Sequence, residues 1–276
     1  MAVPAAIRER SAGGFGWRES GTGGAGNADD GATMVLLHGL MGSRLSWEPQ
    51  LAALGAACRV VAWDAPGYGM SVPLAGHADF AAFADAVARL LDVLDVERAH
   101  LVGLSFGGMI AQYVARRHPS RLATLSLLST SPKFGLDGTS PDAWRRSRLA
   151  ALDAGERPVD LAPRVLASIA GPGIGEEALA GQVAAAALMP SSALRVAVDV
   201  LVTHDSRPWL GELAAPTVVL VGEADRETPV DYAQAIAASV SGASLHVIAG
   251  AGHLLNVEAP DEVNALIARH AGLSWR

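Results

Sequence analysis

Residues 101–109 read LVGLSFGGM, and this stretch decides which fold the chain can adopt. The residues before Ser105 form a short, continuously apolar run, which is typical of a strand buried on both faces. The residues after it carry apolar side chains at helical spacing, and Pro119 ends that segment. Gly103 and Gly107 stand two positions on either side of the serine. The stretch therefore predicts a strand, a sharp turn that exposes the Ser105 hydroxyl, and a helix.

The same alternation of strand and helix extends over most of the chain. Helices are predicted between apolar runs, for example at 79–94 with Asp79 as the N-cap, and this predicts an α/β domain with a mostly parallel sheet. Residues 131–207 contain helix-like segments and no convincing strand, so we predict a core of 1–130 and 208–276 with a helical insertion over the sheet. The other predicted strands lie at 14–20 (a weak signal), 33–39, 59–67, 122–130, 216–225 and 245–253.

The composition argues against several classes of protein. The 276 residues are 50% hydrophobic and carry a net charge of −7, which disfavours binding to nucleic acid or to an anionic membrane. The one cysteine, Cys58, cannot form a disulfide within the chain. No apolar run approaches the roughly 18 residues of a membrane span, and arginines interrupt the opening segment MAVPAAIRERSAGGFGW where a secretory signal would be apolar. We therefore expect a cytoplasmic protein that does not enter a membrane.

Neither the spacing of the histidines nor a glycine-rich segment near the N-terminus indicates a metal site or a cofactor site. No pair of histidines has the spacing of metal ligands, such as H-x-x-x-H. The letters GTGGAG at 21–26 fit a dinucleotide-binding fingerprint, but a polar loop and then a strand follow them, where a helix would be needed. We predict a loop there, and we expect neither a metal nor a cofactor.

Ser105 needs a base and an acid if it is to act as a nucleophile, because a serine hydroxyl alone reacts poorly. His253 lies at the end of the last predicted strand in AGAGHLL, and Asp225 lies at the end of the preceding strand in VGEADRETP. The carboxyl ends of parallel strands meet at one edge of a sheet, so the three side chains are expected to converge. Glu223 is the rival acid, and we assign it a structural role. The backbone N–H groups of Phe106 and Leu40 are the predicted oxyanion donors.

Five motifs occur in an order and at a spacing that resemble the α/β-hydrolase family. They are HGLMGS (38–43), DAPGYGMS (64–71), GLSFGG (103–108), GEADRETP (222–229) and GHLLNVEAP (252–260). The resemblance implies an eight-stranded, mostly parallel sheet with a helical cap inserted after the sixth strand. His38 directly precedes the loop that carries Leu40, and we predict that it holds this loop in place by hydrogen bonding.

Within that family, two segments are similar to 3-oxoadipate enol-lactonases and neighbouring esterases: SRLSWEPQLAAL (43–54) and STSPKFGLDGTSPDAWRRSR (129–148). In such enzymes basic and aromatic cap residues hold the free carboxylate of the substrate. The resemblance implies this role for Lys133, Trp144 and either Arg145 or Arg148. Pro66 departs from that branch, which usually has arginine there, and DAPGYG is more typical of general esterases and carbon–carbon hydrolases.

These features together predict a serine hydrolase that cleaves carboxylic esters or lactones of small molecules through an acyl-enzyme. Hydrolysis of a carbon–carbon bond in a meta-cleavage product and cofactor-free peroxidation use the same triad and stay open as alternatives. A binding protein that retained the fold without the chemistry is the alternative outside enzymes. Family members with an aspartate nucleophile are disfavoured by the serine at position 105. We expect a monomer or homodimer whose partner is the small-molecule substrate.

Overall fold

The computed structural model describes residues 6–21 and 32–274, and eight strands within these ranges form one sheet. All six apolar runs form strands, and the weak signal at 14–20 is a seventh. The predicted loop at 21–26 lies, except for its first residue, outside the described residues. The strands are β1 (Arg8–Ala12), β2 (Phe15–Ser20), β3 (Thr33–Leu37), β4 (Arg59–Trp63), β5 (Ala99–Leu104), β6 (Leu122–Leu128), β7 (Thr217–Gly222) and β8 (Ser244–Ile248).

The strand order is β1-β2-β4-β3-β5-β6-β7-β8, and every pair from β4 to β8 is parallel. Only the β1–β2 and β2–β4 pairs of the described sheet are antiparallel, which confirms the mostly parallel eight-stranded prediction. Strand β1, RERSA, has no sequence signal because all of its residues are exposed. Strand β8 is half exposed, since it forms the other edge of the sheet.

Helices cover both faces of the sheet, as β3 shows: all five of its residues are buried, and its successive apolar side chains pack in two different clusters. Met34 and Leu36 pack in one apolar cluster with side chains of α1 and α10, whereas Val35 and Leu37 pack in another with α2 and α3. Asp79 caps α2 by accepting a hydrogen bond from Ala82 N–H at 2.7 Å, as predicted. The described helices are α1 (Glu48–Leu54), α2 (Phe80–Val93), α3 (Phe106–Arg117), α4 (Pro141–Asp153), α5 (Pro158–Ile169), α6 (Glu176–Ala186), α7 (Ser191–Leu201), α8 (Val230–Ser239), α9 (Leu255–Glu258) and α10 (Pro260–His270).

In the described chain, the segment between β6 and β7 contains four α-helices, α4 to α7, and no strand of the sheet. The boundaries 131–207 and the role of this segment as a cap stay predictions. Among the residues placed by the structure, no single helix is long and apolar enough to cross a membrane, and α6 and α7 satisfy that test only as a pair bent by 98°.

Candidate active site

Ser105 occupies a strained turn between β5 and α3. Its backbone has φ 54° and ψ −116°, a region that residues other than glycine rarely adopt. A Cβ on Gly103 would lie 2.4 Å from the carbonyl oxygen of Gly107, and one on Gly107 would lie 2.1 Å from that of Leu37. Both positions therefore require glycine, because the neighbouring backbone lies too close to leave room for a Cβ atom. The turn is held by a 2.9 Å hydrogen bond from Ser105 N–H to Leu128 O.

The side chains of Ser105, His253 and Asp225 form one hydrogen-bonded chain. His253 Nε2 lies 2.9 Å from Ser105 Oγ, and His253 Nδ1 lies 2.9 and 3.0 Å from the two Asp225 oxygens. An ionised carboxylate only accepts, so Nδ1 carries the proton and Nε2 is free to accept the serine hydroxyl. His253 and Asp225 are buried, so the hydrogen bond between them is shielded from water, whereas Ser105 is only partly buried.

Asp225 is held as an ionised carboxylate. Its Oδ1 accepts the backbone N–H groups of Glu227 and Thr228, each at 2.9 Å, and its Oδ2 accepts the Thr228 hydroxyl at 3.0 Å. Burial raises the pKa of Asp225, but the charge and the hydrogen bond of His253 more than offset this, and the net pKa is below its usual value. For His253 the two effects have the opposite signs. Burial lowers its pKa, but the neighbouring Asp225 carboxylate raises the pKa above its usual value.

Glu223, the rival acid, lies elsewhere. It is exposed, and its carboxylate accepts the N–H of Gly250 at 3.1 Å. It therefore stabilises the turn after β8, and the hydrogen bond from His253 goes to Asp225 instead.

The two predicted oxyanion donors lie in the segments that adjoin Ser105. Phe106 is the first residue of α3, and a Cβ on Gly39, beside Leu40, would lie 3.4 Å from the Ser105 Cβ. Within the described residues, neither Phe106 N–H nor Leu40 N–H donates to a protein acceptor. Two free backbone donors next to a serine hydroxyl are what a developing oxyanion requires.

His38 holds the loop that carries Leu40, as the sequence predicted. Its Nε2 accepts the N–H of Ala65 at 3.0 Å, so Nδ1 must carry the proton and donate to Gly39 O at 2.8 Å. Gly42 N–H donates to the same oxygen at 3.0 Å. Burial lowers the pKa of His38 and keeps the imidazole neutral, despite the opposing effect of Gly39 O and Asp64.

A cavity of about 320 Å³ opens onto Ser105 and His253. Its walls are mostly apolar, and charged side chains also contribute to them: Lys133, Arg148 and Arg226 as cations, Asp137 and Glu227 as anions. The apolar walls come from α3, α5, α7 and the neighbouring loops, through Met41, Met109, Leu161, Val165, Leu166, Ile169, Leu194, Val198, Leu201 and Leu254.

The structure brings three of the four predicted carboxylate-binding residues to this cavity. Lys133, Trp144 and Arg148 line it, and the Arg148 guanidinium lies 5.0 Å from the centre of the Trp144 ring. Arg145 is not among the lining residues: it is exposed and pairs with Asp199. The reason is helical geometry, because residues 144 and 148 share one face of α4 and residue 145 lies about 100° away.

Several further polar lining residues were missed by the sequence analysis, among them Arg226 and Gln182. Arg226 directly follows Asp225, and its place in the GEADRETP motif could have indicated it. Gln182 is buried on α6 and donates to Ser46 O at 3.2 Å, and no motif marks it. Across residues 6–21 and 32–274, no group of three or more His, Cys, Asp or Glu side chains is arranged to hold a metal ion.

A mostly parallel sheet with a strained serine turn, a buried histidine and an aspartate at neighbouring strand ends defines the class of α/β hydrolases. Residues 34–266 match the family model described as the alpha/beta hydrolase family, and the chain belongs to that family.

Curated relatives with 30% identity or more differ in their named activities. RutD of Variovorax paradoxus, whose name assigns it carbamate hydrolysis, is 34% identical over 83% of this chain and 87% of its own. The 2-hydroxy-6-oxo-6-phenylhexa-2,4-dienoate hydrolase of Comamonas testosteroni is 30% identical over 87% of each chain. The acetyltransferase component of the acetoin cleaving system of Pseudomonas putida is 30% identical over 86% of this chain, which spans only 62% of that relative.

Solved structures extend the similarity to nearly the whole chain. A hydrolase from Pseudomonas aeruginosa has a TM-score of 0.81 at 28% identity, covering 96% of this chain and 98% of its own. An enol-lactonase from Burkholderia xenovorans has a TM-score of 0.83 at 23% identity, covering 96% and 100%, and at that identity the likeness shows the fold alone.

Proposed function

We propose that the protein is a serine hydrolase that cleaves carboxylic esters or lactones of small molecules through an acyl-enzyme. The observation that carries the proposal is the chain of contacts from Ser105 Oγ through His253 to Asp225, with successive separations of 2.9 and 2.9 Å. This geometry lets one imidazole accept the serine proton while its other nitrogen donates to a carboxylate.

The proposed reaction begins when His253 Nε2 takes the proton of Ser105 and Oγ attacks the substrate carbonyl carbon. The carbonyl oxygen becomes an oxyanion that the N–H groups of Leu40 and Phe106 stabilise. Its collapse breaks the carbon–oxygen bond, and His253 returns the proton to the leaving alkoxide. Water then gives a proton to His253 and attacks the carbonyl carbon of the acyl-enzyme. The bond between that carbon and Oγ breaks, His253 returns its proton to Oγ, and the acid is released.

We propose that Lys133, Trp144 and Arg148 select substrates that carry a free carboxylate. Arg148 already pairs with Glu227 at 2.8 Å, which neutralises part of its charge. In the part of the chain that the structure describes, Lys133 and Arg226 have no carboxylate partner within salt-bridge distance, so they contribute the unneutralised positive charge of the lining. The mostly apolar cavity suits an organic acid with one charged end. We also propose that residues 131–207 act as a cap, because α4 to α7 supply many of the lining side chains.

Hydrolysis of a carbon–carbon bond is the second candidate. It is favoured by the 30% identity to the Comamonas testosteroni hydrolase and by the DAPGYG segment. The same triad and oxyanion donors would serve that reaction, so the substrate has to distinguish the two.

A fluorophosphonate probe tests whether Ser105 is a nucleophile. We expect wild-type protein to be labelled and Ser105→Ala to show no labelling. A folded wild-type protein that never reacts would favour a binding protein of the same fold.

Substrate class is tested with a panel of aryl esters of graded length, an enol-lactone and a meta-cleavage diketone. We expect turnover of the esters or the lactone, and turnover of the diketone alone would establish the second candidate. Lys133→Ala or Trp144→Ala should raise KM for acidic substrates selectively, with Arg145→Ala as the control outside the cavity. Equal effects on acidic and neutral substrates would contradict the carboxylate role.

A further inference from the structure

Glu258, the last residue of α9, accepts three backbone hydrogen bonds around the candidate catalytic histidine. Its Oε2 accepts Gly252 N–H at 2.7 Å, and its Oε1 accepts Leu254 N–H at 2.9 Å. These two residues flank His253 in the chain. The same Oε2 also accepts Gly171 N–H at 2.8 Å, from the segment between α5 and α6.

The N–H of His253 itself is hydrogen-bonded to the helical insertion. It donates to Ile169 O, at the end of α5, at 3.0 Å. The consecutive amides of residues 252, 253 and 254 are therefore all anchored, two by Glu258 and one by the helical insertion. Backbone donors to a carboxylate make charge-assisted hydrogen bonds, which are shorter and stronger than neutral ones.

Two glycines allow the insertion and the histidine loop to come this close. A Cβ on Gly252 would lie 2.2 Å from Gly171 N, and a Cβ on Gly171 would lie 2.3 Å from Glu258 Oε2. Neither position can accept a side chain without separating the two segments. The contact is thus backbone against backbone, with the Glu258 carboxylate bridging both.

We propose that Glu258 is a positioning residue: it joins residues 169–171 of the insertion to the loop of His253 and so sets the imidazole between Ser105 and Asp225. This inference rests on the proposed function for its effect on rate. It assigns Glu258 no contact with substrate. It also makes the α5 end of the insertion a fixed support of the site.

Two substitutions of Glu258 separate its position from its charge. Glu258→Gln removes the charge and turns an N–H₂ group toward a backbone donor, whereas Glu258→Asp keeps the charge but withdraws the carboxylate by one methylene. Gly171→Ala leaves Glu258 intact and pushes the insertion away from it. We expect all three to slow fluorophosphonate labelling of Ser105 roughly 10- to 100-fold, the scale of an ångström-sized misplacement. Glu262 is an exposed residue of α10 without a hydrogen-bond partner in the described structure. Glu262→Gln is therefore the matched control, and its Ser105 should be labelled at the wild-type rate.

The outcomes are distinct. A wild-type rate for Glu258→Asp with a slow Glu258→Gln would mean that Glu258 acts through charge alone, and it would overturn the positioning role. A wild-type rate for Gly171→Ala would overturn the link to the insertion. If Glu258→Gln fails to fold, the other two variants still decide.

A second readout does not depend on catalysis. Asp225, Glu227 and Glu258 are the carboxylates whose charges raise the pKa of His253, so an NMR titration of the His253 ring should give a lower pKa in Glu258→Gln than in wild type. The Gly171→Ala variant retains all three charges, and a lower His253 pKa there would report displacement from Asp225. Should wild-type protein never be labelled, the proposed function fails and this titration still tests Glu258. A His253 pKa unchanged in both variants would refute the inference.

Discussion

Exchanging His38 for asparagine or glutamine tests how the loop that carries Leu40, the proposed oxyanion donor, is held. An asparagine amide can replace Nδ1 as the donor to Gly39 O, and a glutamine oxygen can replace Nε2 as the acceptor from Ala65 N–H. Because the peptide between Gly39 and Leu40 is planar and trans, the direction of the Gly39 carbonyl sets the opposite direction of the Leu40 N–H. His38→Gln should therefore affect turnover, and His38→Asn should chiefly affect stability.

The structure sets the expected magnitudes. Losing one oxyanion donor completely costs about 2.7–4 kcal/mol of transition-state stabilisation. Gly42 N–H still holds Gly39 O at 3.0 Å in His38→Gln, so we expect about half of that loss, a roughly 10- to 30-fold decrease in kcat. His38→Asn leaves the buried Ala65 N–H without an acceptor, which costs about 1–3 kcal/mol of unfolding free energy.

Both variants are measured by kcat on an aryl ester and by urea unfolding. Each loses the contact of the His38 ring with Tyr68, whose ring centre lies 4.9 Å away, so the difference between the two variants is the diagnostic quantity. The reasoning is refuted if folded His38→Gln turns over as fast as His38→Asn.

Three further predictions concern the other titrating groups. Since Asp225 raises the pKa of His253, and only neutral His253 can act as a base, kcat/KM should rise with pH with a midpoint above 6.5, measured from its pH profile. Asp225→Asn should lower kcat on the order of 10³- to 10⁴-fold and shift that midpoint downward. The kcat of Glu223→Gln should stay within about twofold of wild type, and a large decrease there would contradict the assignment of Asp225 as the acid. Burial lowers the pKa of His204 to about 4, so the unfolded state binds more protons between pH 6.5 and 4 and stability falls as the pH falls. The free energy of unfolding, measured at pH 7 and at pH 5, should fall by about 2 kcal/mol less in His204→Gln than in wild type. An equal decrease in the two proteins would refute this prediction.

The candidate catalytic side chains could be predicted because each follows a strand of the parallel part of the sheet, buried for β5 and β7 and half exposed for β8. Strands β5, β7 and β8 each gave an apolar run, and the carboxyl ends of parallel strands meet at one edge of the sheet. Glu223 could be set aside for a related reason: it still pairs with β8 through its backbone, whereas Asp225 lies past the turn that follows Gly222. Strand β1 could not be predicted, since its exposed side chains carry no apolar pattern and it joins the sheet by pairing with β2.

The cavity walls were less predictable because helix orientation is set by tertiary packing. A motif places Arg145 and Arg148 in the same segment, but only the packing of α4 against α7 turns Arg145 toward Asp199 and leaves Arg148 at the cavity. Glu258 is the stronger case. It belongs to the GHLLNVEAP motif, yet its partners are backbone N–H groups, one of which comes from 87 residues away, and no side-chain pattern marks a backbone donor. Roles that require a particular side chain at a strand end can therefore be predicted from sequence, whereas roles exerted on the backbone become visible only once distant segments are folded together.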